Sequence, residues 1–376
     1  MIIRVVKGDV LDYFWIMIKA IETLKGLTLS ELREYFITQS QPAFRAKQVF
    51  KWMYGDMVDS FDEMSNLPKS LRNNLSEKLT IDTLRYSISE ISPSTGTKKY
   101  IFETHTGDKI ESVVIPEKKR TTLCISTQVG CPLDCKFCAT GLMGYKKNLT
   151  AGEIFDQYKL ASKDYKESDI TNIVYMGMGE PLLNFKETLK SLEIFAEELT
   201  TGISLKKITV STAGIAPKIQ ELQETGLKVK LAFSLHSCFE EIRNKIMPIN
   251  KKYSLKENIE VLKSYAAKTN TRITFEYVML DGINDRDEDI KALARLMSTI
   301  PSKLNIIPFN SLEHMDPTGF SGKLRSTSME RIQEFADKLR EKNITIMLRN
   351  TQGDDIAAAC GQLAYPPTPF LRKGAL

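Results

Sequence analysis

The chain has 376 residues, of which 42% are hydrophobic and 26% are charged, and its net charge is +5. This length permits one large domain with a smaller appendage, and the composition is that of a soluble globular protein rather than a repeat or low-complexity chain. The modest positive charge permits a polyanionic partner without requiring one.

Residues 1–26 predict an N-terminal extension without a core of its own. Its apolar stretch at 13–21 is interrupted by Lys19 and is too short to span a bilayer, so we expect no membrane partner. The stretch is not followed by a small-residue cleavage site, and the chain has only six cysteines. We therefore expect a cytoplasmic protein in a reducing compartment.

Residues 27–80 predict a small helical domain. Apolar positions recur at helical spacing in three segments, the first behind a candidate N-cap at Thr28 and the third behind Pro68. Basic residues lie between the apolar positions of the second segment: Arg45, Lys47 and Lys51. Such residues usually form a solvated face, and the functional alternative is an accessory domain that binds RNA phosphates.

After residue 80 the hydrophobic pattern changes. Residues 81–120 alternate with period two around a turn at Ser94-Thr95-Gly96, which predicts a short antiparallel β extension. Residues 121–350 alternate between strands and helices, which predicts a parallel sheet. The predicted strands are 122–126, 172–176, 207–211, 228–236, 272–279, 304–310 and 344–349. About six strand–helix units are too few for an eight-fold barrel, so we expect an α/β fold, a partial (β/α)6 barrel, with its chemistry at the carboxyl ends of the strands.

Three cysteines follow the first barrel strand with the spacing C-x3-C-x2-C. They are Cys131, Cys135 and Cys138. Iron–sulfur clusters are usually held by four thiolates. Three thiolates would bind three irons of a [4Fe–4S] cluster and leave the fourth iron open to a ligand that is not protein. The spacing therefore favours a cluster that performs chemistry as well as carrying electrons.

Two other interpretations of the cysteines stay open. A structural zinc site needs four ligands, commonly as two C-x2-C pairs. The chain offers one such pair, and Cys124, in a predicted strand, is the candidate for a missing ligand. A disulfide framework is less favoured, because six cysteines in a chain of this length suit a reducing compartment. We interpret Cys238 as an ordinary buried thiol.

Small and polar residues share one face on three predicted strands, because side chains alternate along a strand. The residues are Thr122, Cys124 and Ser126, then Thr209 and Ser211, then Ala232, Ser234 and His236. One or two of them would merely satisfy backbone groups, whereas three strands that end alike indicate a lumen that binds a ligand. The second strand is followed by Gly177-Met178-Gly179-Glu180-Pro181, whose glycines permit close backbone approach and whose Glu180 could bind an α-amino group.

The cysteine spacing resembles the signature of the radical S-adenosylmethionine (SAM) enzymes, and the glycine turn resembles their segment that binds the SAM amino group. Longer segments resemble one family of that superfamily, the RlmN family of bacterial adenine-C2 RNA methyltransferases, from about residue 27 to 363. They are QVGCP at 128–132, GMGEPLLN at 177–184, VSTAG at 210–214, SLH at 234–236, EYVMLDG at 276–282, PFN at 308–310 and GDD…ACGQL at 353–363. The last is the most specific, since it carries a lone cysteine, Cys360.

The resemblance implies a radical SAM barrel that transfers a methyl group to adenine C2 of RNA. It implies a [4Fe–4S] cluster and two molecules of SAM per methyl. Adenine C2 is electron-poor and does not attack a methyl sulfonium, so a radical route is chemically reasonable. The implied substrates are adenine 2503 of 23S rRNA, in protein-poor RNA before full assembly, and adenine 37 of tRNAs. The resemblance also implies an electron-donating reductase, and we expect a monomer.

The resemblance implies roles residue by residue. Cys131, Cys135 and Cys138 would bind the cluster. SAM contacts would come from Gly179, Glu180, Ser211, Ser234, Leu235, His236 and Asn310. Cys360, in the C-terminal segment 351–376, would carry the methyl group, Cys124 would resolve the RNA adduct through a transient disulfide with it, and Glu111 would accept the C2 proton. Without the resemblance, the two accessory thiols, Cys124 and Cys360, would each be interpreted as a small apolar side chain of the protein interior.

A disulfide needs Cα atoms within roughly 7 Å, so the C-terminal segment should fold back over the barrel mouth. Gln352 stands where the family has arginine, which puts an RNA-phosphate or SAM contact in question. Two rival functions stay open. An adenine-C8 methyltransferase of the antibiotic-resistance type would share these motifs. An RNA-binding protein with a structural cluster would leave Ser211, Ser234 and the glycine turn without a role.

Overall fold

A computed structural model describes residues 23–365. The predicted extension up to residue 22 and the end of the predicted C-terminal segment, 366–376, lie outside the described residues. Residues 24–26 were assigned to the extension, but Leu24 and Lys25 are buried in the folded core. The helical domain therefore begins a few residues earlier than the sequence predicts.

The N-terminal region is helical. Its helices are α1 (Leu29–Thr38), α2 (Phe44–Phe50), which continues as a π-helical turn (Lys51–Gly55), and α3 (Lys69–Lys78). The first begins at the predicted cap: the Thr28 hydroxyl accepts from the Glu31 N–H (3.3 Å), and the Glu31 carboxylate accepts from the Thr28 N–H (2.9 Å). The third begins after Pro68, as expected for a residue that lacks an N–H.

Within residues 23–365, ten strands form one sheet, and two more form a separate hairpin. The antiparallel strands are β1 (Leu84–Ile91), β2 (Lys98–Thr104) and β3 (Lys109–Glu117). The parallel strands are β4 (Arg120–Cys124), β7 (Asn172–Tyr175), β8 (Ile208–Thr212), β9 (Lys230–Ser234), β10 (Ile273–Met279), β11 (Ser302–Pro308) and β12 (Ile346–Leu348). The hairpin pairs β5 (Gln128–Gly130) with β6 (Tyr145–Asn148).

The sheet order is β1-β2-β3-β4-β7-β8-β9-β10-β11-β12. Strand β3 is antiparallel to β4, and every neighbouring pair from β4 to β12 is parallel. The predicted parallel strands are therefore all present. In the described part of the chain, β1 and β12 are the two edge strands of the sheet and do not pair with each other, so the barrel is open. The β extension continues the barrel sheet and is not a separate linker.

Helices connect the parallel strands. They are α4 (Ala139–Leu142), α5 (Ala151–Asp164), α6 (Phe185–Ala196), α7 (Ala216–Glu224), α8 (Glu240–Ile246), α9 (Leu255–Thr269), α10 (Asp287–Met297) and α11 (Met329–Arg340). The 3-10 turns are Phe61–Glu63, Leu205–Lys207, Pro248–Lys251, Glu313–Met315, Ser321–Lys323 and Asp354–Ile356. None of the described helices has the length and apolarity needed to cross a bilayer.

Alternation along the strands separates a core from a lumen. Leu123, Leu231 and Phe233 are fully buried, which is the environment of core side chains. Thr122 and Thr209 lie on the opposite face and line the lumen. The sheet therefore has an apolar outer face and a polar inner face, because its strands alternate with period two.

Two buried lysines hold the helical domain against α5. Lys25 Nζ lies 3.2 Å from Asp156 Oδ1, an ion pair without hydrogen-bond geometry, and both side chains are at most 1% exposed. Lys159, also fully buried, pairs with Asp59 (2.9 Å) and Asp82 (2.5 Å). Buried charges of this kind are retained only when paired, so the two domains are docked in one relative position.

Candidate active site

A cavity opens at the carboxyl ends of the parallel strands, and the thiols of Cys131, Cys135 and Cys138 line it. Their loop lies between β5 and α4. The Cys131 N–H donates to Gly144 O (2.7 Å), which positions the start of the loop. Gly130 has a φ of +75°, and a Cβ there would lie 2.0 Å from Gly144 O. Glycine is therefore required before the first cysteine.

The three thiols act on one another electrostatically. Burial raises the pKa of Cys131 to about 12. Burial is the main reason that the pKa of Cys135 is raised well above its ordinary value, and negative charge on Cys138 and Cys131 adds to the effect. Bringing three thiolates together is therefore unfavourable unless positive charge, such as that of iron, compensates them.

The donor set fits an iron–sulfur cluster better than a single ion. No three of the described Cys, His, Asp and Glu side chains converge as the ligands of one metal ion do. The zinc interpretation therefore lacks its tetrahedral ligand set in the described part of the chain. In a cluster each thiolate binds a different iron, so three thiols around one cavity wall suit it.

The glycine turn forms the adjoining wall. Gly179 has a φ of +97°, and a Cβ there would lie 2.5 Å from the Gln128 Cβ. The Glu180 carboxylate accepts hydrogen bonds from the N–H groups of Ala213 (2.7 Å) and Leu182 (3.0 Å). Burial raises the pKa of Glu180 to about 7 despite these hydrogen bonds. The carboxylate is thus held in one orientation beside the cavity, where a cationic amino group would stabilise its charge.

Four further predicted residues line the cavity: Ser211, Ser234, His236 and Asn310. Burial lowers the pKa of His236 to about 3, and its Nδ1 accepts from the Val278 N–H (3.0 Å). The imidazole is therefore neutral. Leu235 was also predicted, but its fully buried side chain is absent from the cavity lining, because alternation places it on the outer face of the sheet.

Cys124 and Cys360 both line a second cavity, inside the sheet, and Cys360 also lines the first. The C-terminal segment folds back to reach this position. Asn310 Nδ2 donates to Cys360 O (2.9 Å), and the Ala139 N–H donates to Gly361 O (2.7 Å). Both accessory cysteines are free thiols. Burial and then negative charge on Cys360 raise the pKa of Cys124 to about 12.

Glu111 lies on β3 beneath the C-terminal segment, outside the lining of both cavities. Its Oε1 is 3.6 Å from Lys99 Nζ, which also donates to Ile356 O (2.5 Å). Its Oε2 is buried without a hydrogen-bond partner. Burial raises the pKa of this carboxyl although Lys99 and a backbone hydrogen bond from Ala364 oppose the effect. The structure therefore holds Glu111 between Lys99 and the C-terminal segment and does not bring it into the cavity.

Three other residues that the sequence singled out are Ser126, Cys238 and Gln352. Ser126 is fully buried, and its hydroxyl donates to Glu111 O (2.6 Å) while accepting from the Met178 N–H (2.8 Å). Cys238, predicted to be buried, is only partly so. Gln352 lines the inner cavity and accepts from the Thr97 hydroxyl at 3.4 Å.

Sequence analysis missed two charged residues that line both cavities, Glu276 and Arg349. Glu276 accepts from Asn305 Nδ2 (2.6 Å). Negative charge on Cys360, and then on Glu276 and Cys124, raises the pKa of Arg349 against the effect of burial. A glutamate within the apolar strand β10 and an arginine directly after β12 were the available signals, since both are unusual where side chains are buried.

Comparisons with known proteins cover nearly the whole chain. The model of the Radical SAM superfamily matches residues 125–296, and that of the ribosomal RNA large subunit methyltransferase N-terminal domain matches residues 23–81. The dual-specificity RNA methyltransferase RlmN of Alcanivorax borkumensis is 42% identical, over 90% of this chain and 89% of the relative. The protein of that name from Geobacter sulfurreducens is 43% identical, over 90% and 91%.

A solved structure is similar as well. The radical SAM methyltransferase from Sphaerobacter thermophilus is 40% identical, with a TM-score of 0.84 over 91% of this chain and 98% of that one. The predicted α/β fold of a partial radical SAM barrel with an N-terminal helical region is thereby confirmed.

Proposed function

The chain belongs to the RlmN family of radical SAM RNA methyltransferases, and on that premise we propose that it methylates C2 of adenine in RNA through an S-methyl group on Cys360. As a methyltransferase it is an enzyme, so the hypothesis of a non-catalytic binding protein is set aside. The observation that carries the proposal is the position of Cys360, which lines both the cavity of the three clustered thiols and the cavity of Cys124.

The cofactors fit the residues that line the outer cavity. Cys131, Cys135 and Cys138, which line this cavity, would bind a [4Fe–4S] cluster. Glu180, with the serines and Asn310 of the same wall, would bind SAM. When bound, the two cofactors supply the one-electron chemistry that an electron-poor carbon such as adenine C2 requires.

Glu180 would orient SAM by its amino group. Two backbone N–H groups fix the carboxylate, and a cationic partner would hold it in the charged state against the effect of burial. The glycine at position 179 permits this approach, because a side chain would collide with Gln128.

Cys360 would act first as a nucleophile. Its sulfur forms a bond to the methyl carbon of SAM as the sulfonium carbon–sulfur bond breaks, and the thiolate is the reactive form. The Arg349 guanidinium lines both cavities together with Cys360, and negative charge on Cys360 raises the pKa of Arg349. Arg349 would thus be a positioning residue that acts through the sulfur.

Cys124 and Glu111 would act after the methyl carbon has joined adenine C2. Glu111 would accept the C2 proton on its unpartnered Oε2, which requires the covering segment 351–365 to shift when RNA binds. The Cys124 sulfur then bonds to the Cys360 sulfur as the carbon–sulfur bond to the RNA breaks, and the released methylene carbon takes up a proton and becomes the methyl group on C2. Because the pKa of Cys124 is about 12, this thiol must give up its proton to a base during the attack.

The helical domain would contact the RNA substrate. Lys47 and Lys51 are exposed on α2 and the π-helical turn that follows it, where they could bind phosphates. The relatives are named for dual specificity, and we infer 23S rRNA and tRNA as substrates of this chain too. A reductase would supply the electron.

Nucleoside mass spectrometry tests the proposal. RNA from a strain lacking the gene should lack 2-methyladenosine in 23S rRNA and tRNA, and the intact gene should restore it, but a Cys360→Ala gene should not. Restoration of 8-methyladenosine instead would favour the C8 alternative. Equal amounts of 2-methyladenosine with and without the gene would contradict the proposal.

A further inference from the structure

Arg243, on α8, is fully buried and has no anionic partner among the described side chains that pack against it. Its Nη2 donates to Ala213 O (2.7 Å) and its Nη1 to Leu235 O (3.5 Å). Nη1 also lies 3.2 Å from the Met247 sulfur, and Nε is buried without any partner. The guanidinium lies 5.0 Å from the centre of the Phe233 ring. Every direct contact is therefore neutral.

A buried cation is costly unless an opposite charge compensates it. Burial lowers the pKa of Arg243 only to about 10, so the group is charged at neutral pH. Negative charge on Cys135 is the strongest influence that opposes the effect of burial, ahead of Glu240 and Cys238. The Glu240 carboxylate is already engaged by Asn250 and by the Leu255 N–H (3.0 Å). Burial raises the pKa of Cys238 to about 12, so that thiol carries no charge at neutral pH. The remaining candidate is Cys135, a predicted cluster ligand.

Backbone contacts place Arg243 next to both parts of the outer cavity. The Lys136 N–H, one residue after Cys135, donates to Ile246 O at the end of α8 (2.9 Å). Ala213, whose carbonyl accepts from Arg243, donates its own N–H to Glu180 (2.7 Å). The guanidinium thus lies behind the cavity wall that carries the cysteine loop and the glutamate.

We propose that Arg243 is the counter-charge of the iron–sulfur cluster and raises its reduction potential. The inference rests on the proposed function, because it needs a cluster at the three cysteines. A [4Fe–4S] cluster with three thiolates is anionic, and it gains one electron and no proton on reduction. A fixed cation in a poorly screened interior stabilises the reduced, more negative state more than the oxidised one. The hydrogen-bond partners of Arg243 are two backbone carbonyls and the Met247 sulfur, and none is a predicted cluster ligand, so it would act as a positioning charge.

The test is a redox titration of the reconstituted full-length protein, with titanium(III) citrate as reductant and the electron paramagnetic resonance signal of the reduced cluster as readout. Arg243→Met removes the charge at similar length, and Arg243→Lys retains it. Arg331→Met is the matched control, because Arg331 is an arginine on α11 whose charge is paired with Asp287 and Glu334.

At the midpoint reduction potential of the unaltered protein, the ratio of reduced to oxidised cluster in Arg243→Met should be at least about tenfold lower. This ratio corresponds to a reduction potential roughly 59 mV lower for a one-electron couple. Arg243→Lys should stay near the unaltered value, and Arg331→Met should match it. Loss of the cluster from the Met variant alone would equally support a requirement for charge.

Equal midpoints in the unaltered protein and in Arg243→Met would overturn the inference. Loss of the cluster from both Arg243 variants alike would also overturn it, since the guanidinium would then serve only to hold the loop. An unaltered protein that binds no iron would instead refute the proposed function, so the two failures are distinguishable.

Discussion

At the scale of single residues, the two accessory thiols differ in what surrounds their sulfur atoms. Cys124 is buried at the end of β4, whereas Cys360 is partly exposed and lines both cavities. Burial raises the pKa of the Cys124 thiol, because it disfavours the thiolate. This difference suits the proposed order, in which Cys360, the more accessible thiol, acts first and Cys124 last.

The rate at which iodoacetamide alkylates Cys124 should depend on pH in a particular way. Because its pKa is raised to about 12, the thiolate fraction rises tenfold for each pH unit between 7 and 9. In urea-unfolded protein the rise should level off above about pH 8.5, which is the ordinary pKa of a cysteine thiol. Timed alkylation followed by peptide mass spectrometry measures both. A plateau below pH 9 in the folded protein would contradict the raised pKa, whatever the access to the thiol.

Individual residues were predictable to the extent that a motif or strand alternation named them. The cysteine spacing and the glycine turn identified two adjoining walls of the cavity. Leu235 shows the limit, since adjacency in a motif does not decide which way a side chain points. Glu276 lies in β10 and Arg349 directly after β12, and only the folded sheet brings them to the cavity that Cys124 and Cys360 line.

At the scale of elements, the docking of the helical domain depends on buried charge. Lys25 and Asp156 are at most 1% exposed, and the Thr83 N–H and hydroxyl also donate to the Asp156 carboxylate at 2.8 and 2.7 Å. The period-two and helical patterns predicted the strands and helices themselves. They did not predict this interface, because a lysine before a helix gives no sign of its partner 131 residues later in the chain.

Asp156→Asn should destabilise the fold by about 3–5 kcal/mol, because it leaves Lys25 charged and unpaired in the interior. The matched control is Asp337→Asn, which breaks the exposed pair with Arg340 and should cost at most about 1 kcal/mol. Urea unfolding of the three proteins measures the free energies. Equal losses in the two variants would mean that the buried pair does not secure the interface.

RNA binding by the helical domain is better tested by point variants than by deletion, since removing the domain would expose the buried lysines of its interface. The double variant Lys47→Gln/Lys51→Gln should weaken RNA binding. It should also reduce the slope of log affinity against log salt by up to about 2, because fewer counterions are released on binding when two phosphate contacts are lost. Lys291→Gln/Lys342→Gln, on the exposed surface of the barrel, is the control. Filter binding at several salt concentrations measures the slope. Identical slopes in the two double variants would remove α2 from the RNA interface.

At the scale of the whole molecule, the C-terminal segment completes the site. It crosses the barrel mouth, covers Glu111 and places Cys360 between the two cavities, since its backbone carbonyls accept hydrogen bonds from the Asn310 side chain and the Ala139 N–H. The transient disulfide that the family resemblance implies, between cysteines 236 residues apart in the sequence, predicted this fold-back where the hydrophobic pattern could not. Patterns report local structure, whereas this contact joins the first parallel strand to the end of the chain.

The central claim is that Cys360 carries the methyl group and Cys124 releases the RNA, and trapping of the covalent intermediate tests it most directly. Each protein is incubated anaerobically with a 23S rRNA fragment, SAM and a reductant, and a gel separates free from RNA-linked protein. Cys124→Ala should accumulate a shifted, nuclease-sensitive band, because it forms the adduct but cannot break the carbon–sulfur bond. Cys360→Ala should form none, and Cys238→Ala should turn over like the unaltered enzyme. An adduct from Cys360→Ala, or full methyl transfer by Cys124→Ala, would contradict the claim.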